Sequence, residues 1–272
     1  MLVKPLEKVS SKTEINMSEI TKAVVPAAGK GKRLEPLTLS IPKEMIRVGT
    51  KPVIEHVLDG LKAGGIKDIL IITGWKKGAI LDYIGSGERL GINAYYRVQE
   101  EQKGIAHAIH YAKEWIGKDE DFVVTYGDNY FKPDSIMKEV LKFHKEKGGA
   151  ATLVLHPIDD PRRFGVVKID EAGKVVGMIE KPTWEQAEQY KSNGVYYNIA
   201  GMIIVNAKIF EFIEKTTPGA NNELQFTDSL ELMRKAGYPM YGYVFSGLRY
   251  DIGTFESIRL ADKQEWENQS KL

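Results

Sequence analysis

Two groups of residues have the types and spacing to do chemistry together. The first is the segment from Ala27 to Thr38, which reads A-A-G-K-G-K-R-L-E-P-L-T and follows a short apolar run. Gly29 and Gly31 let the backbone come close to a ligand, and N–H groups exposed in such a turn cradle phosphate oxygens. Lys30, Lys32 and Arg33 add positive charge, and an arginine can grip phosphate through two parallel hydrogen bonds. Lys43 lies ten residues beyond Arg33, behind Pro42, and can reach the same anion. The second group is a pair of aspartates. Asp128 follows the apolar run F-V-V-T-Y-G, and Asp251 stands in Y-D-I-G-T. Two carboxylates near a phosphate loop suit Mg²⁺, which takes few protein ligands and fills its shell with phosphate oxygens and water. Taken singly, each feature also has a plain structural reading: a turn, a surface lysine, a helix cap. The loop is neither common nucleotide signature, lacking the third glycine of GxGxxG and the GxxxxGK[ST] spacing of a P-loop.

Composition narrows the chemistry. The chain has 272 residues, enough for one large α/β domain or two small ones. It contains no cysteine, so disulfides, thiolate catalysis and cysteine-based zinc sites are excluded. The five histidines do not show metalloprotease spacing; His107 and His110 are three apart, without HExxH. Lys plus Arg is 38 and Asp plus Glu 37, a net charge of +1, which gives no general attraction to nucleic acid or to an acidic membrane. An anionic ligand must be held by locally placed cations. The sequence has neither an apolar run of membrane-spanning length nor a secretory h-region, so a soluble, cytoplasmic protein is expected. Residues 1–20 read as a peripheral N-terminal extension.

The elements that must position these residues follow from hydrophobic periodicity. Strands are expected at Lys22–Pro26, Asp68–Thr73, Ala94–Val98, Phe122–Tyr126 and Ala151–His156. Helices are expected at Lys51–Ala63, Lys76–Ile84, Ile105–Trp115 and Asp134–Lys147. Alternation of this kind implies a Rossmann-like three-layer α/β/α fold with a mostly parallel sheet, whose ligands bind beyond the carboxyl ends of the strands. After about residue 160 the pattern changes. Gly165–Ile169, Val175–Ile179 and Tyr196–Val205 read as strands of a mixed or antiparallel extension holding a second ligand. Helices around Lys208–Glu214 and Leu224–Lys235, a strand at Tyr241–Phe245, and a last helix capped by Thr254 complete the reading. One domain is expected over 21–262, with a nucleotide-binding half at 21–150 and a sugar-phosphate-binding half at 151–262. Residues 263–272 form its tail.

Eight motifs in fixed order carry a resemblance: V-P-A-A-G-K-G-K-R-L-E-P-L-T, I-P-K-E-M, V-Q-E-E-Q-K-G-I-A-H-A, G-D-N, F-G-V-V, I-E-K-P, N-N-E-L-Q-F-T-D and D-I-G-T. Together the set resembles the glucose-1-phosphate nucleotidyltransferases, the thymidylyl- and uridylyltransferases of nucleotide-sugar synthesis. The resemblance implies that Ala28, Gly29 and Gln99 contact the base and that Gly104 shapes its pocket. Gly31 and Arg33 would hold the triphosphate, with Lys43 facing the α-phosphate. Asp128 and Asp251 would bind Mg²⁺. Gly165, Glu180 and Asn198 would line the sugar pocket, with Lys181 on the sugar phosphate. It also implies a homo-oligomer, dimer or tetramer, acting on a nucleoside triphosphate and a sugar 1-phosphate.

That chemistry needs neither thiolate nor poised histidine. The phosphate nucleophile is already ionised at neutral pH, so catalysis reduces to positioning and charge neutralisation. The chain departs from the family pattern at Lys32, where Thr or Ser is usual, and at Phe164, where Tyr is usual. I-P-K-E-M looks uridylyltransferase-like, whereas the compact middle and G-D-N look thymidylyltransferase-like, so UTP and dTTP both stay open with a lean to dTTP. Among rivals, a glycosyltransferase would want a second aspartate after Asp128-Asn129, and a dehydrogenase would want the third glycine. A sensing relative should have lost one of the charged residues, all of which are present.

Overall fold

A computed structural model of the chain describes residues 19–219 and 222–269. The expected extension therefore lies outside the described residues, apart from 19–20. In chain order the first elements are β1 (Lys22–Ala27), β2 (Arg47–Val48), β3 (Lys51–Pro52), α1 (Val53–Ala63), β4 (Asp68–Thr73), α2 (Lys77–Ile84) and β5 (Asn93–Val98). Next come α3 (Ile105–His110), β6 (Asp121–Thr125), β7 (Asn129–Lys132), α4 (Ile136–Lys147), β8 (Ala151–Ile158), β9 (Gly165–Ile169) and β10 (Val175–Glu180). The last are α5 (Trp184–Glu188), β11 (Tyr196–Asn206), α6 (Ile209–Ile213), α7 (Phe226–Lys235), β12 (Met240–Val244), β13 (Leu248–Asp251) and α8 (Phe255–Gln269).

Nine strands form the main sheet. The path runs β10-β9-β11-β6-β1-β4-β5, with β8 pairing β11 and β12. The strip β6-β1-β4-β5 is parallel, as the helix-separated apolar runs require. Strand alternation divides the core into two layers. Val24, Leu70 and Ile72 face α3, α6 and α7 through Ile109, Phe210 and Leu230. Ala23, Val25, Ile69 and Ile71 face α1, α2 and α4 through Leu58, Ile80 and Met137. Both faces of these strands are buried, which is why their sequences run apolar without alternation. Among the described residues no helix is long and apolar enough to cross a membrane.

Three expectations change. β8 does not extend the parallel strip, because β11 lies between it and β6 and is antiparallel to both. The helix beginning at Ile105 ends at His110. Beyond it Ala112, Lys113 and Trp115 bond back three residues and Ile116 bonds back four, a series of turns in place of regular helix. The ribbon β7–β13 has no counterpart in the periodicity; it pairs residues over a hundred positions apart, Asp251 with Asn129 and Arg249 with Phe131. Thr254 caps α8 as expected, its hydroxyl accepting the Ser257 N–H at 3.1 Å.

Candidate active site

A cleft of about 550 Å³ opens at the carboxyl ends of the parallel strands, bounded by the second half of the chain. The loop after β1 forms one wall. Its Ala28 carbonyl accepts the Trp75 N–H at 3.2 Å, and the Trp75 indole N–H donates to the Thr38 carbonyl at 2.7 Å, tying the β1 and β4 loops together. Gly31 adopts φ +63, and a Cβ there would lie 2.9 Å from Thr38 Cγ2 and 3.3 Å from Lys43 Cβ. Gly31 thus lets the loop fold onto Lys43 but does not itself line the cleft.

After β5, Gln99 is buried; its amide donates to the Gly104 carbonyl at 3.1 Å and meets His107 Nδ1 at 2.9 Å. Gly104 has φ +107, and a Cβ there would meet the Leu224 carbonyl at 2.5 Å. The close approach lets Leu224 bond to both Lys103 and Ala106, closing this end of the cleft with the segment before α7.

The carboxylates meet at the centre. Asp128 leaves β6, Asp251 ends β13, and the Ile252 N–H donates to the Asp128 carbonyl at 2.9 Å. Lys43 forms an ion pair with Asp128, and Arg33 Nη2 lies 3.8 Å from Asp251 Oδ2. Burial opposes charge on Lys43, Asp128 and Asp251. For Lys43, the charges of Asp128, Glu44 and Asp251 outweigh burial and hold the ammonium well above its ordinary pKa. For Asp128, burial is overcome by Lys43 and Arg249, which keep the carboxyl below its usual range. For Asp251, burial and the neighbouring Asp128 push the carboxyl up against Lys43, Arg249 and Arg33. Among the described residues no group of three or more metal-ligating side chains gathers. A two-carboxylate set fits Mg²⁺, which relies on few protein ligands and substrate phosphates, better than calcium or zinc.

The facing wall belongs to the second half. Gly165, Glu180 and Lys181 line it together with Arg163, Phe164, Ile199 and Thr227. Thr227 donates to Glu180 Oε2 at 2.7 Å, and a Cβ on Gly165 would sit 2.4 Å from Thr227 Oγ1. Burial raises the Glu180 pKa despite Thr227 and Lys181.

The structure therefore brings Ala28, Gly29, Arg33, Lys43, Gln99, Gly104, Asp128, Gly165, Glu180, Lys181 and Asp251 onto one cleft. Asn198 stands apart, with both polar atoms of its side chain unpartnered. It is fully buried and does not line the cleft; strand alternation turns its neighbour Ile199 inward instead. Sequence reasoning missed Glu44, Tyr126, Asn129, Arg163, Thr227 and Arg249, all of which line the cleft. Four of them stood inside motifs already singled out, so adjacency to those motifs was an available signal. Arg163 and Arg249 each lie within two residues of one.

The Nucleotidyl transferase family profile matches residues 22–268. A UTP–glucose-1-phosphate uridylyltransferase of Staphylococcus epidermidis is 34% identical over 264 residues, covering 87% of this chain and 89% of the relative. The low-salt glycan biosynthesis nucleotidyltransferase Agl11 of Haloferax volcanii is 33% identical over 250 residues, covering 92% and 67%. A solved UDP-glucose pyrophosphorylase in complex with UDP-glucose superimposes with a TM-score of 0.80 at 28% identity, covering 92% of this chain and all of that one. With the cleft, its paired aspartates and this full-length match in hand, the chain belongs to the nucleotidyl transferase family.

Proposed function

We propose that the protein is a sugar-1-phosphate nucleotidyltransferase that converts glucose 1-phosphate and UTP or dTTP into the nucleoside diphosphate glucose and pyrophosphate. The observation that carries this reading is the placement of Asp128 and Asp251, flanked by Lys43 and Arg33, between a glycine loop on one wall and Glu180 with Lys181 on the other. Similarity to a uridylyltransferase over most of the chain favours UTP.

In this reading Ala28, Gly29 and Gln99 hold the base, and Gly104 shapes its pocket. Gly31 allows the loop to close on the triphosphate, which Arg33 grips at the leaving pyrophosphate. Lys43 neutralises the α-phosphate, and Lys181 orients the attacking sugar phosphate. Gly165 and Glu180 seat the sugar, with Thr227 fixing the carboxylate. Asp128 and Asp251 would hold Mg²⁺. An ion held there would supply positive charge to offset that of the phosphate oxygens. A sugar-phosphate oxygen forms a bond to the α-phosphorus as the bond to the β-phosphate oxygen breaks. The electron pair leaves on pyrophosphate, and no proton need move. The cations act by cancelling repulsion between two anions, the largest barrier to such an encounter. The protein is proposed to work as a homo-oligomer, which light scattering would report as a mass of two or four chains.

The test is pyrophosphate release with Mg²⁺, crossing glucose, mannose and N-acetylglucosamine 1-phosphates against dTTP, UTP, CTP, ATP and GTP. Release with glucose 1-phosphate and a uracil or thymine triphosphate is expected. A folded protein releasing none with any pair would overturn the assignment.

A further inference from the structure

Arg249 is a guanidinium placed on the cleft without a protein partner to match it. In the ribbon β7–β13, Asp251 pairs with Asn129 and Arg249 lies two residues before Asp251, so these three residues share one face. All three line the cleft, while Tyr130 packs into a separate core with Leu34, Val53 and Ile252. Arg249 makes a single hydrogen bond, from Nη2 to Asn129 Oδ1 at 2.8 Å. Its Nε is buried and has no acceptor. Among the described residues Arg249 forms no direct ion pair. A buried guanidinium N–H without an acceptor is costly unless a ligand completes it. Asn129 is itself buried, and its Nδ2 is also without an acceptor.

The surroundings say which ligand. Asp251 stands between two arginines: Arg33 reaches it from the glycine loop, and Arg249 follows it on the strand. Arg249 instead bonds to Asn129, which packs against Tyr126 and Gly201 of β11: a Cβ on Gly201 would lie 2.1 Å from Asn129 Nδ2 and 2.8 Å from Tyr126 Cδ2. Tyr126 in turn feels Glu180. The cleft lining thus continues from Arg249 through Asn129 and Tyr126 to β11, whose neighbour β9 opens at Gly165, where a Cβ would sit 2.8 Å from Glu180 Oε2.

We propose that Arg249, oriented by Asn129, donates hydrogen bonds to oxygen atoms of the sugar 1-phosphate and determines how tightly that substrate is held. The inference rests on the transferase reading above and names a residue for its second substrate. The oxygen acceptor is either a ring hydroxyl or the phosphate of that substrate, and the experiment separates them.

KM values for both substrates would be measured in the wild type, Arg249→Lys and Arg249→Met, with Mn²⁺ affinity followed by electron paramagnetic resonance. Arg249→Met should raise KM for glucose 1-phosphate roughly 10- to 100-fold, the loss of hydrogen bonds from a charged donor, with partial recovery in Arg249→Lys. KM for the nucleotide should stay within about two-fold, and Mn²⁺ affinity should not weaken, since the lost positive charge acts on Asp128 and Asp251. With 2-, 3-, 4- and 6-deoxyglucose 1-phosphates, the penalty should vanish for the one lacking the partnered hydroxyl. A penalty equal across all four, with inhibition by methyl phosphate weakened to match, assigns the contact to the phosphate. These comparisons are made within one variant, so they survive a change in its stability. An unchanged sugar-phosphate KM would overturn the proposal, as would nucleotide KM and Mn²⁺ affinity worsening in step with it. A wild type inactive with every sugar phosphate would overturn the transferase reading and this inference together.

Discussion

Asp128 and Asp251 sit under opposing pressures, one carboxyl held low and the other pushed up. Mutual repulsion between carboxylates is relieved by a bound cation, so both should be needed. Asp128→Asn and Asp251→Asn are each expected to lower kcat/KM by on the order of 10²- to 10³-fold in steady-state pyrophosphate release, as removing one electrostatic stabiliser does. A second residue-scale expectation concerns Glu44, buried beside Lys43 with one oxygen lacking a partner. Burial pushes its carboxyl up to about 7, Lys43 opposing and Asp128 adding. The folded state then binds a proton that the unfolded state has released. The stability this contributes is full below the ordinary glutamate pKa and is lost as pH rises through 7. In metal-free protein, Glu44→Gln should gain on the wild type between pH 5 and pH 8, by on the order of 3 kcal/mol. Urea midpoints at both pH values check this; an equal difference at the two would count against a raised Glu44.

At the scale of elements, the site depends on places where strands and loops come unusually close. β11 breaks register between Ile199 and Ile203, and Gly201 sits in that break with φ +76. A Cβ there would lie 2.1 Å from Asn129 Nδ2 and 2.8 Å from Tyr126 Cδ2. Gly201 thus lets β11 pack behind the segment that carries Asp128, and its carbonyl accepts the Tyr126 N–H at 2.9 Å. Gly201→Ala should cost about 2–4 kcal/mol, from left-handed backbone plus overpacking, measured by denaturant midpoint. Activity should fall further than stability explains, because Asn129 and Tyr126 must shift.

For the whole molecule, residues from both halves of the chain line one cleft, and the proposed substrates would contact both walls. Binding to the folded state should therefore stabilise the entire chain. A nucleoside triphosphate with Mg²⁺ at a hundred times its Kd should add about 2.7 kcal/mol, seen as a rise in Tm. The rise should shrink strongly in Asp128→Asn and Asp251→Asn. An undiminished rise in both would show that the metal is held elsewhere.

Much of this was legible in the residues. The parallel strands and the glycine loop were readable because buried strands and helices write themselves as local periodicities; Asp128 follows one of those strands and Lys43 lies shortly beyond the loop, whereas Asp251 was found through its own motif. Glu180 and Lys181 were identified by motif order rather than by physics. What the chain could not reveal locally was every feature made by distant partners. β11 inserts between β6 and β8, and β7 pairs with β13 across more than a hundred residues. That pairing brings Arg249 beside Asn129 and Asp251. That Ile199 rather than Asn198 borders the cleft was hidden for the same reason: which side of a strand faces the cleft depends on register, and a one-residue difference reverses it. Local sequence determined which residues could bind phosphate and metal; tertiary pairing decided which of them share a cleft.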